Sequence, residues 1–169
     1  MGIFFPLWMS KTLNMSDAII GNTIALSMVV TLMAAPLIGS ISDQTGKRLP
    51  YLILGILACT VPTFSIGYME NVFISIVVFS IGLISINLVD VIYNAMLFDV
   101  SEESNRAKVS GFGAATGYSG AILAIILSIL FTEDGNYLVG FRIVALTLFF
   151  LSIPSMIFIR EKKLGARKF

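Results

Sequence analysis

The chain has 169 residues, 57% apolar and 12% charged, with a formal net charge of +1 and a mean hydropathy of +0.94. An ordinary soluble domain carries roughly 25% charged residues, so this much apolar surface calls for lipid as solvent. The small net charge argues against nucleic acid as a partner. The lack of histidine removes the commonest metal ligand and the usual base near neutral pH, and the single Cys59, inside an apolar run, excludes an internal disulfide.

Residues 1–9 (MGIFFPLWM) have no basic leader and no small-residue cleavage site, so they do not read as a signal peptide. A transmembrane helix needs about 20 apolar residues, so the stretch 3–14 is too short to span. It is either an interfacial anchor or the remnant of a helix whose start is missing. Ser16 or Asp17 caps a helix expected over 17–42. A second apolar segment covers 51–69, with a kink at Pro62 that neighbouring helices can tolerate. Glu70 and Asn71 form a tight turn, and a third segment, 72–98, is unusually polar in its second half. A charged loop is expected over 99–108 (DVSEESNRAK). The fourth segment, 109–131, opens on a glycine-rich run and ends at a polar turn, 132–136. The fifth, 137–159, carries Arg142 near its start and Pro154 near its end, and a basic tail, 160–169, follows. The reading is an all-α integral membrane protein in one domain, with about five full spans and a short N-terminal remnant.

The basic residues orient it. Lys47, Arg48, Arg106, Lys108, Arg160, Lys162, Lys163, Arg167 and Lys168 fall on one side, and only Lys11 and Arg142 on the other. The positive-inside rule puts the 46–48 loop and the C-terminus in the cytoplasm. Without an organellar address, the expected location is the plasma membrane of a prokaryote. Trp8, Tyr68 and Tyr137 read as interfacial anchors, and Arg142 as a side chain that snorkels to the headgroups. The basic tail meets anionic lipid or leads into a linker.

Within the third segment, Asn87, Asp90 and Asn94 stand at i, i+3 and i+7 and share one helical face. Polar groups in hydrocarbon are costly, and an intramembrane carboxylate marks a functional site by default. On this reading the stripe lines a solute or ion pathway, with Asp90 taking a proton, a cation or a substrate amine. The alternative is interhelical hydrogen bonding that joins helices. In the fourth segment Gly113, Gly117 and Gly120 offer a small-residue surface for close helix packing, and Tyr118 can turn its hydroxyl into the pathway. No P-loop, no dinucleotide fingerprint and no metal-ligand spacing occurs, so neither an enzyme nor an ATP-driven pump is expected, and no cofactor.

The turn at 36–50 (PLIGSISDQTGKRLP) holds the only charges for many residues on either side. Gly39 would allow close helix contact, Asp43 meets the surface, Gly46 permits the turn, and Lys47 and Arg48 follow. This pattern resembles the loop signature between helices 2 and 3 of major facilitator superfamily transporters: Gly, three residues, Asp, two residues, Gly, then two basic residues. Gln44 departs from it, since the family usually has a basic residue there. The resemblance implies that the spans are helices 2–6 of one six-helix half, that a second half completes the transporter, and that Asp43, Lys47 and Asp99 form a gate latch. A narrower likeness lies in 93–99 (YNAMLFD) and 106–120 (RAKVSGFGAATGYSG). These resemble the vacuole-effluxer branch, whose autophagy-related members release amino acids. Asp43-Gln44-Thr45 and Arg48-Leu49-Pro50-Tyr51-Leu52 resemble instead the glycoside–pentoside–hexuronide cation symporters. The function expected from the resemblance is secondary transport of a small polar solute, amino acids foremost, by alternating access with a proton or cation. The rival expectation is a non-transporting fragment or accessory subunit acting through helix packing.

Overall fold

A computed structural model describes residues 4–68, 71–131 and 136–158, apart from the side chains at 4, 128, 131 and 158. The described residues form six helices: α1 Phe4–Thr12, α2 Asp17–Thr45, α3 Leu49–Ser65, α4 Val72–Val100, α5 Arg106–Phe131 and α6 Tyr137–Phe158. The expected turn residue Glu70, most of the 132–136 turn and the tail 160–169 lie outside the described residues. Helices α2, α4, α5 and α6 are long and apolar enough to cross a membrane, and α3 is a shorter apolar helix. The chain is therefore an all-α, multi-pass membrane protein.

Several helix ends differ from the sequence expectation. α2 runs on through Asp43 to Thr45, because the hydroxyls of Ser42 and Thr45 bond carbonyls of its own last turns. Gly46 then stops it in the left-handed region, with φ 61°. α3 ends at Ser65, short of the expected 69, where Ile66 turns extended and Gly67 takes φ +85°. A side chain on Gly67 would strike Leu138 of α6. α4 continues to Val100 and α5 starts at Arg106, so the loop expected over 99–108 shrinks to 101–105. Asp99 thus stands in the last turn of a helix. At the other end of α4, Asn71 caps the helix: its side-chain oxygen accepts from the backbone N–H groups of Phe73 (2.9 Å) and Ile74 (3.4 Å). Pro36, Pro62 and Pro154 all sit inside helices.

α4 is the central element. It packs chiefly on α3 and α2, and α3 packs in turn on α6. α5 is held mainly by α6 and touches α4 only lightly. Two apolar clusters fix the arrangement. One joins Phe5, Trp8 and Met9 of α1 to Ile20, Ile66, Phe79 and Phe141. Phe5 stacks on Phe79 with centroids 3.5 Å apart, and Trp8 meets Phe141 edge-on at 5.9 Å. The short α1 is thereby anchored by aromatic contact. The other cluster joins Leu52 and Ile56 of α3 to Val89, Ile92 and Met96 of α4.

Small hydroxyl residues line the seam of α2. Thr23 and Ser27 are buried, and the hydroxyls of Thr23, Ser27 and Thr31 each donate to the carbonyl four residues back, at 2.8–2.9 Å. These groups satisfy themselves within their own helix, which lets helices approach without stranding a polar atom. Many large apolar side chains, Leu32, Met33, Phe73 and Phe112 among them, are exposed on the outside of the bundle, as suits a lipid solvent.

Candidate functional site

Two groups of polar side chains stand out, an ionic cluster at one end of the bundle and a polar face midway along α4.

The ionic cluster is built on Arg48. Once Gly46 has turned the chain, Arg48 becomes the N-cap of α3 and its side chain reaches the end of α4. Its Nη2 donates to Asp43 Oδ1 at 2.5 Å, and its Nη1 donates to both Asp99 Oδ2 and the Ala95 carbonyl oxygen at 2.6 Å. One guanidinium therefore ties the end of α2 to the end of α4, as its planar fork allows and an ammonium does not. The side chains of Arg48 and Asp99 are only 17% and 16% exposed, whereas Asp43 is 57% exposed. Burial on its own lowers the Arg48 pKa, but the hydrogen bond to Asp43 and the charges of Asp99 and Asp43 outweigh it and hold the group above its ordinary value. The resemblance pairs Asp43 and Asp99 with Lys47, and the contacts seen here differ from that pairing. The basic member that bridges Asp43 and Asp99 is Arg48, and Lys47 is exposed beside it. Gln44 donates instead to Ser40, along its own helix.

Gly39 also departs from expectation. Among the described residues, no atom beyond its own stretch of helix comes within 4 Å of where its Cβ would sit. It lies in an open groove of about 600 Å³ lined by Ala35, Pro36, Ser40, Asp43, Gln44 and Val91.

The polar face of α4 divides. Asn87 is half-buried, and its Nδ2 donates to the Leu83 carbonyl at 2.6 Å within the same helix. Asp90 and Asn94 are exposed, and no hydrogen bond or ion pair holds either among the described residues. At about 100° per residue, Asp90 lies around the helix between Val91 and Tyr93. Val91 borders the groove beside α2, and the Tyr93 hydroxyl meets α5 at Gly113. Asp90 thus opens between α2 and α5, on the side of α4 that no helix covers. Tyr118 is exposed on α5 and is not tied to this face by any hydrogen bond among the described residues.

The glycine run of α5 serves two different neighbours. A Cβ on Gly113 would come 2.5 Å from Tyr93 Oη, and one on Gly120 would come 3.3 Å from a methyl of Leu151 in α6. Gly117 is exposed with nothing near it, so Gly113 and Gly117 do not form one contact surface. Sequence reading missed Tyr93. Its visible signals are its place three residues after Asp90 and at the head of the 93–99 stretch, and its partner lies in another helix.

Two further arginines lie on aromatic rings: Arg106 over Phe98 at 4.4 Å and Arg142 over Tyr68 at 4.8 Å. In each the Nε is buried without a hydrogen-bond partner.

The long apolar helices and the arginine cluster that ties their ends together fit a protein of several membrane spans. The family model of the Major Facilitator Superfamily matches residues 1–168, and the chain belongs to that superfamily of transporters. It is 28% identical over 116 residues to the "Uncharacterized MFS-type transporter YxiO" of Bacillus subtilis, an alignment covering 68% of this chain and 27% of that protein. It is 26% identical over 166 residues to an "Uncharacterized protein" of Aquifex aeolicus, covering 97% of this chain and 42% of that one. The chain therefore spans less than half the length of either relative. No solved structure matches it. The family match reaches the superfamily, whereas the likeness to the vacuole-effluxer branch has no support from these relatives.

Proposed function

We propose that this chain forms part of a secondary transporter that moves a small polar solute across the membrane by alternating access, coupled to a proton or cation at Asp90. The observation that carries the reading is the placement of Asp90, a carboxylate on an exposed polar face within an apolar span. An isolated carboxylate facing hydrocarbon would be costly, so this face meets water or a polar partner in the working protein. A second transporter half, from another chain or another copy, closes the pathway over the valley between α2 and α5. Amino acids are the solute class that suits the site best: a carboxylate for the ammonium, with Asn94 beside it as donor and acceptor. Arg48, with Asp43 and Asp99, is the latch that holds the ends of α2 and α4 together in one conformation. The 46–48 loop faces the cytoplasm of a prokaryotic plasma membrane, in line with the distribution of basic residues.

The deciding experiment is Asp90→Asn in proteoliposomes, assayed for amino-acid counterflow and for uptake driven by a proton or sodium gradient. Asn keeps the size and the hydrogen bonding but removes the charge. Loss of gradient-driven uptake and weakened counterflow, with membrane insertion retained, is the expected outcome. Normal driven uptake by the variant would rule out the coupling role. Failure of the unaltered protein to move amino acids, while it moves other solutes, would leave the coupling and replace the substrate.

A further inference from the structure

Arg142 has no part in the ionic cluster or in the polar face of α4, yet it is a charge set in the second turn of an apolar span. Its guanidinium lies over the Tyr68 ring, 4.8 Å from the centroid. The local fold brings the two together. Gly67 takes φ +85°, and a side chain there would strike Leu138, so the chain leaving α3 is pressed against α6. Leu138 and Arg142 are four residues apart and share one face of α6. The face that receives Gly67 therefore also meets the next residue, Tyr68. That residue is 61% exposed, and it borders a cavity of about 230 Å³ lined by Ile66, Ile74 and Val78 with Ser65 and Ser75. Arg142 is otherwise unanswered. Among the described residues no carboxylate pairs with it and no acceptor takes a hydrogen bond from it, although its Nε is buried.

We propose that Arg142 and Tyr68 form a binding site for an anionic phospholipid, with its phosphate on the Nη groups of Arg142 and the start of an acyl chain in the cavity beside Tyr68. The site uses neither Asp90 nor its coupling, so it stands apart from the transport reading. A guanidinium stays charged at any working pH and carries five N–H donors, which suit a phosphate better than any neutral acceptor. The ring contact occupies a face of the guanidinium and leaves N–H groups at its edge for the anion. Side chains on a helix lean toward its N-terminus, so a charge in the second turn of α6 reaches the level where the helix begins and the headgroups lie. The cavity selects a lipid over a free anion. Its lining is mostly apolar, and it adjoins the ring that carries the charge. An acidic side chain of a neighbouring protein would meet the same donors and leave that cavity empty.

The test uses the full chain, purified in detergent, stripped of lipid and titrated with phosphatidylglycerol or with phosphatidylcholine of the same acyl chains. Native mass spectrometry reads the bound lipid. The unaltered protein should take its first phosphatidylglycerol about tenfold more tightly than phosphatidylcholine, and Arg142→Gln should abolish that preference, a loss the size of one charge-assisted hydrogen bond. Lys47→Gln removes an exposed charge elsewhere and should change the affinity by less than about twofold. Tyr68→Phe keeps the ring and should stay within about twofold, whereas Tyr68→Leu should lose about threefold. Val78→Phe fills the cavity and should weaken phosphatidylglycerol. Equal losses in Arg142→Gln and Lys47→Gln mean that overall charge holds the lipid, and they overturn the site. Unchanged binding by Val78→Phe removes the acyl chain from the cavity. Inorganic phosphate that displaces the lipid at equal concentration makes this a free-anion site and overturns the lipid assignment. Should Arg142→Gln not survive purification, Arg142→Lys replaces it. It keeps the charge and loses the fork, so binding about threefold weaker is expected, and unchanged binding overturns the proposal.

Discussion

At the residue scale, Arg48 makes the clearest energetic claim. It carries two carboxylates and a carbonyl on one guanidinium, and its partner Asp99 is largely buried. Arg48→Lys keeps the charge and loses the fork, so stability in detergent should fall by about 1–3 kcal/mol, the range of one to two charge-assisted hydrogen bonds. Lys47→Gln should change it by less than about 0.5 kcal/mol, as for an exposed side chain without a partner. Thermal unfolding of the two variants side by side checks this, and equal losses would refute the assignment to Arg48. The two carboxylates of this cluster, Asp43 and Asp99, were legible in the sequence through the resemblance, which pairs the loop Asp with an acid at the end of a later helix. Which of two adjacent basic residues makes the bridge was not, because the choice rests on the backbone angles of a turn. Gly46 in the left-handed region and Arg48 near φ −91° aim the second basic residue, not the first, at α4. Tyr93 was illegible for a related reason: nothing near it in the chain names Gly113 as its seat.

At the scale of the element, the apolar runs reveal the helices and mislead at their ends. Charged residues read as loop, yet Asp43 and Asp99 occupy the final turns of α2 and α4. A carboxylate can stay in a helix there because a basic partner from the next element meets it. The start of α4 is simpler. Asn71 satisfies two backbone N–H groups that would otherwise lack partners. Asn71→Ala should cost about 1 kcal/mol in detergent melts, and Asn71→Asp should cost almost nothing. A larger loss in Asn71→Asp than in Asn71→Ala would mean that the side chain does something other than cap. α3, with 17 residues, spans about 26 Å, less than the ~30 Å hydrocarbon core. Its short length is matched to its place against α4 and α6, where protein replaces much of the lipid contact.

For the whole molecule, the bundle covers its apolar seams well but leaves the face of Asp90 and the groove beside Gly39 without a neighbour. The class of fold was readable from composition alone, because no other solvent accommodates this hydropathy. The uncovered face was not, since the sequence cannot tell a stripe that faces a cavity from one that joins two helices. The proposed second half gives this surface an occupant. Native mass spectrometry from lipid nanodiscs should show a dimer or a complex with a second helical chain. A stable monomer that still transports would refute the two-half arrangement.

The hydroxyl seam of α2 has a mechanical consequence. Thr23, Ser27 and Thr31 spend their hydrogen bonds inside their own helix, so sliding α2 along α4 by a fraction of a turn would disturb dispersion contacts and not those bonds. The strong tie between the two helices is the Arg48 bridge at one end. A rod tied by ions at one tip and held only by apolar contacts at the other, where Ile20 joins the aromatic cluster of α1, exchanges those contacts without breaking a polar bond.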